Sequence, residues 1–551
     1  MDRKRYFRST LGLALALYAS CAPTWSADTV REQEYMVQMR DGIHLATSVY
    51  LPEGQGPWPV VITRTPYDKS RYGGFHSRYN EAGYVFIAQD VRGIFKSEGE
   101  YLPFESDMPD GYDTIEWIGA QSWCSGKVGI TGASAMGITG NLAAAANPPH
   151  LTAAFVIVAP EGLFNQSRFI AGVFKESHAG GWMRRQGVPE QIPLMKKRVL
   201  MDERWKLTDF NFHRDQVDIP IYNVGGWYDI FCQGNIGNFM WLQENGREGA
   251  KGNQKLIMGA FGHAALSGDL NYPDGGALGA FWETERRWFD HWLKGEENGI
   301  MTEPAVRYYM MAAARKSEAS PKNGWVQAAS WPPASTPTRF YLQDKGRLSV
   351  SAPLENGPAT TYNFDPNNPV PTKGGANLYD PTGPMDQREI GERPDYLRFE
   401  TEPLEEDVVI AGQLNLELWA ATDGPDTDFM AKLVDVYPDG YEALVQDNPV
   451  RARYRFGRNA AADVKMMTPG EPEKLNIDLW STAITFEKGH RIAVHVSSSN
   501  FPRFEVNPNT GEAPGEEKLP PRVAKNTVYH DAAHPSAIIL PVLAEQHAAN
   551  H

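Results

Sequence analysis

Polarity alternates along residues 35–39 and again along 44–51, with Asp41-Gly42 between them, a pattern that predicts a β-hairpin at the start of the fold. Beyond it, short runs that are apolar on both faces recur at 60–63, 85–89, 128–131, 153–159, 220–224 and 256–258. Such runs suit strands of a parallel sheet covered by helices on both sides. Helical spacing fills the intervals, as at 110–120, 140–146 and 282–294, the last with Trp288 and Trp292 on one stripe and Gly295 as its stop. Residues 161–209 break the alternation: they are rich in Phe, Met, Arg and Lys at helical spacing and show no good strand. Placed between two sheet strands, they read as a helical cap over the strand ends. After Pro304 the texture changes again. Alternating runs at 307–311 and 339–342 flank a stretch rich in Pro and Ser, and runs at 414–420, 429–436, 482–486, 491–497 and 537–542 are separated by Pro, Gly and Asp turns. That pattern predicts a C-terminal β-sandwich. The expected modules are an α/β core (28–145 and 218–318), an inserted cap (146–217) and an all-β C-terminal domain (319–551).

Size agrees with several modules, because 551 residues exceed what one core organises. A formal net charge of -15 argues against nucleic acid and anionic membranes as partners. The first residues stand apart from the fold. Arg3, Lys4, Arg5 and Arg8 precede a short apolar run at 11–19, then small residues near Ala27 and an acidic Asp28. This is the layout of a signal peptide (1–27), with export to the periplasm or outside and a mature chain that does not enter the membrane. Cys21 has a lipoprotein-like position, although Tyr18 fits that motif poorly. Only Cys124 and Cys232 then remain. The strand assignments put them at opposite ends of a sheet, about 20 Å apart, whereas a disulfide needs Cα atoms within about 7 Å. Two free, buried thiols are expected.

The chemistry concentrates at three strand ends. In Val128-Gly129-Ile130-Thr131-Gly132-Ala133-Ser134-Ala135-Met136-Gly137 a β-run stops at Gly132, a Ser sits among small residues, and an Ala-rich helix begins. This is the nucleophile-elbow arrangement, with Met136 where Gly is usual. A serine hydroxyl needs a base, and the base needs a carboxylate to orient it. Downstream, 221–224 leads into Gly225-Gly226-Trp227-Tyr228-Asp229, and 255–258 leads into Gly259-Ala260-Phe261-Gly262-His263. Nucleophile, acid and base thus occur in the chain order this topology requires. Ser134, Asp229 and His263 are the expected catalytic residues.

Further stretches make the resemblance specific. Thr65-Pro66-Tyr67-Asp68-Lys69, Gln89-Asp90-Val91-Arg92-Gly93, Ser97-Glu98-Gly99, Trp123-Cys124, Gly226-Trp227-Tyr228-Asp229 and Gly262-His263 match one family, as do Asp426-Thr427-Asp428-Phe429 and Ser497–Arg503 in the C-terminal part. The chain resembles the cocaine esterase/X-prolyl dipeptidyl-peptidase family (CocE/NonD hydrolases). The resemblance implies an α/β-hydrolase core with an inserted helical cap, a jelly-roll C-terminal domain, and acyl transfer to water without cofactor or metal. It also implies an oxyanion hole made by the Tyr67 hydroxyl and the Ala135 backbone N–H. Members of the family usually carry Tyr where this chain has Ala135, so a roomier pocket is expected.

The acyl compound is less constrained. Members that bind a free α-amino group carry acids two and three positions after the triad Asp, where this chain has Phe231 and Cys232. Cap acids such as Glu161 or Glu176 are the candidate substitutes. The reading is a hydrolase of small-molecule esters or amides with uncharged or aromatic acyl groups, acting alone or as a homo-oligomer. X-Pro dipeptidyl-peptidase and β-lactam acylase or α-amino acid ester hydrolase activities are the alternatives; a catalytically dead binding protein is the remote one. Phe164, Phe169, Phe174, Trp182, Trp227 and Phe231 are the candidate pocket residues. Asp426 and Asp428, lacking further ligands at metal spacing, read as loop-capping residues.

Overall fold

The computed structural model describes residues 31–315 and 318–544. The signal-peptide reading of 1–27 and the Cys21 question lie outside the described residues. Strands β1 (Arg31–Gln38) and β2 (His44–Leu51) form the expected antiparallel hairpin. They are followed by β3 (Trp58–Thr65), β4 (Val85–Asp90), β5 (Cys124–Ala133) and β6 (Leu151–Ile157). Two-residue strands β7 (Phe169–Ile170) and β8 (Val173–Phe174) pair within the inserted segment, and β9 (Ile221–Tyr228), β10 (Lys255–Gly262) and β11 (Val306–Met310) return to the main sheet. Its order is β1-β2-β4-β3-β5-β6-β9-β10-β11, closed by Gly324–Ala328 antiparallel to β11. From β4 to β11 the neighbours are parallel. Every residue of β4, β9 and β10 is buried, which is why these runs lack alternation.

Helices α1 (His76–Glu81), α2 (Asp107–Gly119) and α3 (Ala135–Ala145) accompany the first strands. Short helices α4 (Gly181–Arg185), α5 (Gln191–Lys197) and α6 (Glu203–Thr208) belong to the insertion, and α7 (Cys232–Asn245) and α8 (Trp282–Lys294) follow it. Helix α8 stops at Gly295 in the left-handed region, as its sequence predicts. Trp288 faces the sheet and donates its indole N–H to Ala154 O at 2.9 Å.

Two boundaries shift. Strand β6 lies in the main sheet, so the insertion begins after Ile157 rather than at 146. The strand Gly324–Ala328 completes the same sheet, so the core extends past 318. The insertion is also less regular than its spacing suggests. It contains the β7–β8 hairpin and two π-helical turns, Leu163–Arg168 and Glu176–Gly180.

The C-terminal domain is the expected β-sandwich. Its longest strand, Val408–Thr422, pairs antiparallel with Glu473–Phe486 and with Ala537–Leu543. Strands Thr360–Phe364, Glu442–Arg451 and Ala524–Tyr529 have no counterpart in the sequence reading. The sandwich shares one apolar core with the α/β sheet, in which Trp227, Tyr228 and Cys232 meet Leu416, Met430 and Ile484. Gln446 Nε2 donates to Trp227 O at 2.7 Å, locking the sandwich against the end of β9. Asp426 and Asp428 are not loop caps. Both are fully buried, Asp428 in an ion pair with Arg451 and Asp426 in one with Arg453. Cys124 opens β5 and Cys232 opens α7 beyond the far end of β9; both are free and buried.

Candidate active site

Ser134, Asp229 and His263 are each the first residue after a strand, respectively β5, β9 and β10. Because these strands run parallel, all three side chains emerge at one edge. Ser134 sits at φ 60°, ψ -121°, a conformation that lifts its hydroxyl off the sheet and that non-glycine residues adopt only when surroundings enforce it. Here Ser134 N donates to Ile157 O at 2.9 Å, and helix α3 starts immediately behind. The turn leaves no room for side chains at its flanks. A Cβ on Gly132 would lie 2.4 Å from Met136 Cβ, and one on Gly137 would lie 2.9 Å from Ala159 Cβ. Met136 is therefore compatible with the elbow, because the glycines that matter stand at 132 and 137.

His263 Nε2 lies 2.8 Å from Ser134 Oγ, and His263 Nδ1 lies 2.6 Å from Asp229 Oδ2. The other oxygen of Asp229 accepts from Phe231 N at 2.7 Å, which fixes the carboxylate's rotation. Asp229 is fully buried. The arrangement has a base in contact with a hydroxyl and a carboxylate that holds the base's other nitrogen, the geometry of nucleophilic acyl transfer. Ala135 is the first residue of α3, so its N–H has no intrahelical acceptor and adds to the positive end of the helix.

Tyr67 follows β3, where its N–H bonds to Thr65 Oγ1. Its hydroxyl accepts from Trp182 Nε1 at 2.9 Å and neighbours the Ser134 side chain. Burial pushes this phenol up, while Trp182, Arg168 and Ser134 oppose that shift. Phe231 presents its ring edge-on to His263, centroids 5.8 Å apart, and to His178 at 5.3 Å. Of the six candidate pocket residues, Trp182 and Phe231 thus lie at the site.

The other four do not. Phe164, Phe169 and Phe174 are fully buried in a cluster with Trp205, and the Arg458 guanidinium covers Phe164 at 3.9 Å. Phe169 and Phe174 pair across the β7–β8 hairpin, and Arg458 of the sandwich lies over Phe169 at 4.9 Å, so this pair packs where the insertion meets the sandwich. Trp227 bonds to Tyr309 O at 2.8 Å and packs on Trp331, within the core shared with the sandwich.

Residues absent from the sequence reading surround the triad. Arg168, at the end of a π-helical turn, is 3% exposed and has no carboxylate partner among the described residues. Lys175 Nζ donates to Gln166 O and Ile230 O, and burial holds its pKa well below the usual range while Asp229 opposes this. His178 is buried with Nδ1 unpartnered, and burial with the nearby cations keeps it neutral. No motif in residues 161–180 signals these roles, since Arg and Lys at helical spacing usually mark a solvated face. Among the described residues no group of His, Cys, Asp and Glu could hold a metal ion, and no helix is long and apolar enough to cross a membrane.

The cap acids are committed elsewhere. Glu176 pairs with Arg184 and Lys196, which hold its carboxyl below the usual value. Glu161 accepts from Gln166 Nε2 at 2.8 Å, and burial pushes its carboxyl up to about 7. Its unfolded value is about 4.3, so the native state binds this proton more tightly. The group's favourable share of stability is present at low pH and is lost as pH rises through 7. Glu161→Gln is expected to raise Tm at pH 8.5 and to leave it nearly unchanged at pH 4.5, as read by thermal unfolding across that range. A gain that is the same at both pH values would contradict the assignment.

Comparison with known proteins extends these observations. A model of the X-Pro dipeptidyl-peptidase (S15 family) matches residues 41–200, and a model of the X-Pro dipeptidyl-peptidase C-terminal non-catalytic domain matches residues 298–539. The cocaine esterase of Rhodococcus sp. (strain MB1 Bresler) is 31% identical over 580 aligned residues, covering 92% of this chain and 98% of the relative. Among solved structures, an α-amino acid ester hydrolase superposes with a TM-score of 0.80 at 27% identity, covering 95% of this chain and 98% of its own. An aminopeptidase from the marine sediment archaeon Thaumarchaeota archaeon shares the fold, with a TM-score of 0.81 at 24% identity, covering 95% and 99% of the two chains.

Proposed function

This chain belongs to the cocaine esterase/X-Pro dipeptidyl-peptidase family of α/β-hydrolase-type serine hydrolases, and from that premise we propose that Ser134, His263 and Asp229 are its catalytic triad and cleave carboxylic esters or amides. The observation that carries this reading is the continuous chain of contacts, 2.6 Å from Asp229 to His263 and 2.8 Å from His263 to Ser134. His263 accepts the Ser134 proton as Oγ attacks the acyl carbon, while Asp229 stabilises the imidazolium. The developing oxyanion lies between the Tyr67 hydroxyl and the Ala135 N–H. His263 then returns the proton to the departing alcohol or amine. Water attacks the acyl-enzyme with His263 again as base, and the acid is released.

Electrostatics favours an acyl group without a free ammonium. The positions two and three after Asp229 are Phe231 and Cys232, both buried. The guanidinium cations Arg168 and Arg503 act on His178, whose ring packs on Phe231 beside His263. A desolvated ammonium would meet like charge there and no free carboxylate. The experiment is a panel of p-nitrophenyl esters, simple anilides and X-Pro anilides offered to the purified protein. Neutral esters are expected to give the highest kcat/KM, at least about tenfold above X-Pro anilides, a difference of about 1.4 kcal/mol in transition-state stabilisation. Preferential release of X-Pro dipeptides would instead support the peptidase reading. The basic and then apolar start of the chain supports export before the enzyme meets its substrate.

A further inference from the structure

Beside the triad lies a buried cation without a carboxylate partner among the described residues. Arg168 is 3% exposed, spends one N–H on Ser167 Oγ at 2.8 Å, and leaves Nε buried without a partner. Of the other buried arginines, Arg64 pairs with Asp107, Arg451 with Asp428, Arg453 with Asp426 and Arg503 with Asp447, while Arg458 spends its N–H groups on Val199 O and Asn165 Oδ1. An unpaired buried charge is costly, so a purely structural role accounts poorly for it.

What the Arg168 guanidinium does have is a place. It lies over the Trp182 ring, 5.2 Å from the ring centroid, and the Trp182 indole N–H donates to Tyr67 Oη at 2.9 Å. The charge acts on Tyr67 itself as well. A cation on the face of an indole draws density from the ring and strengthens its N–H as a donor. A hydroxyl whose oxygen already accepts a strong hydrogen bond donates more strongly in turn. The indole also takes a lone pair of Tyr67 Oη, which leaves the phenolic O–H free to turn toward Ser134. We propose that Arg168 and Trp182 are positioning residues for catalysis, a relay that orients and polarises the Tyr67 hydroxyl toward the oxyanion. The relay rests on the assignment of Tyr67 to the oxyanion hole. It gives a reason for an unpaired charge: the countercharge appears only in the transition state, where preorganised dipoles contribute most.

The test is a pair of mutant cycles on the full chain with p-nitrophenyl butyrate. Removing an oxyanion donor costs about 10²–10³ in kcat, and Tyr67→Phe is expected to fall in that range. Arg168→Met and Trp182→Phe, which remove only its support, are each expected to lower kcat about tenfold with KM nearly unchanged, and Arg168→Lys to recover most of the loss. In the Tyr67→Phe background neither substitution should cost more than about twofold further, because the group they act through is gone. Equal losses in both backgrounds would overturn the relay. So would a loss confined to substrates bearing a carboxylate, which would make Arg168 a substrate contact. Should Arg168→Met fail to fold, Trp182→Phe keeps the ring packing and tests the relay alone. Tyr67→Phe without effect on kcat would remove the premise, and the triad would still stand or fall by substitution of Ser134.

Discussion

Replacing Ser134 with alanine is expected to lower kcat for p-nitrophenyl butyrate by roughly 10⁶-fold, leaving only what oxyanion stabilisation and binding supply. The substitution removes one oxygen, already 2.8 Å from His263 Nε2, and with it the only step at which an acyl-enzyme can form. Covalent labelling by an organophosphonate should disappear in the same variant. The fold should tolerate the change, because alanine relieves none of the constraints at φ 60° but adds no atoms to a turn closed by Gly132 and Gly137. Stability should therefore drop by no more than about 1–2 kcal/mol. Labelling that persists, with intact mass showing one adduct, would place the nucleophile elsewhere.

Asp229→Asn is expected to cost about 10⁴ in kcat with little change in KM. The reason is specific to the contacts here. Phe231 N donates to Asp229 Oδ1, so the carbonyl oxygen of an asparagine stays on that N–H. Its amide NH₂ then faces His263 Nδ1 and donates to it. The imidazole proton is forced onto Nε2, which can no longer accept from Ser134. Thermal unfolding should show the variant folded, since shape and burial are kept. A loss under tenfold would reduce Asp229 to a residue that caps the start of α7.

Much of this was legible because the topology repeats one grammar. Ser134, Asp229 and His263 each end a run of apolar residues and each follows glycines, and both signals are local. A local signal with two meanings is resolved only by its neighbours in space. The apolar run ends at Val224 before Gly225-Gly226, yet residues 225–228 continue β9. Glycine is needed there because a Cβ on Gly226 would lie 2.2 Å from Phe261 O of the adjoining strand. Phe164, Phe169 and Phe174 carry aromatic bulk but no indication of which side it turns to. Contacts with Arg458 and with Glu505 N place Phe169 and Phe174 against the sandwich. Asp426 and Asp428 resemble turn residues, and their arginine partners lie 27 and 23 positions away, respectively, on the neighbouring stretch.

Chain order and strand-end chemistry sufficed to specify the fold class and the three residues of the proposed triad, because parallel strands in one sheet necessarily bring their C-terminal ends together. The surroundings of those residues obeyed no such rule. The Trp182–Tyr67 bond spans 115 positions and depends on how an irregular insertion docks over the sheet. Arg168 faces that indole, and not solvent, through the same docking. Such contacts are set by packing across modules, whose energies are summed over the whole interface and leave no imprint on any short stretch of sequence.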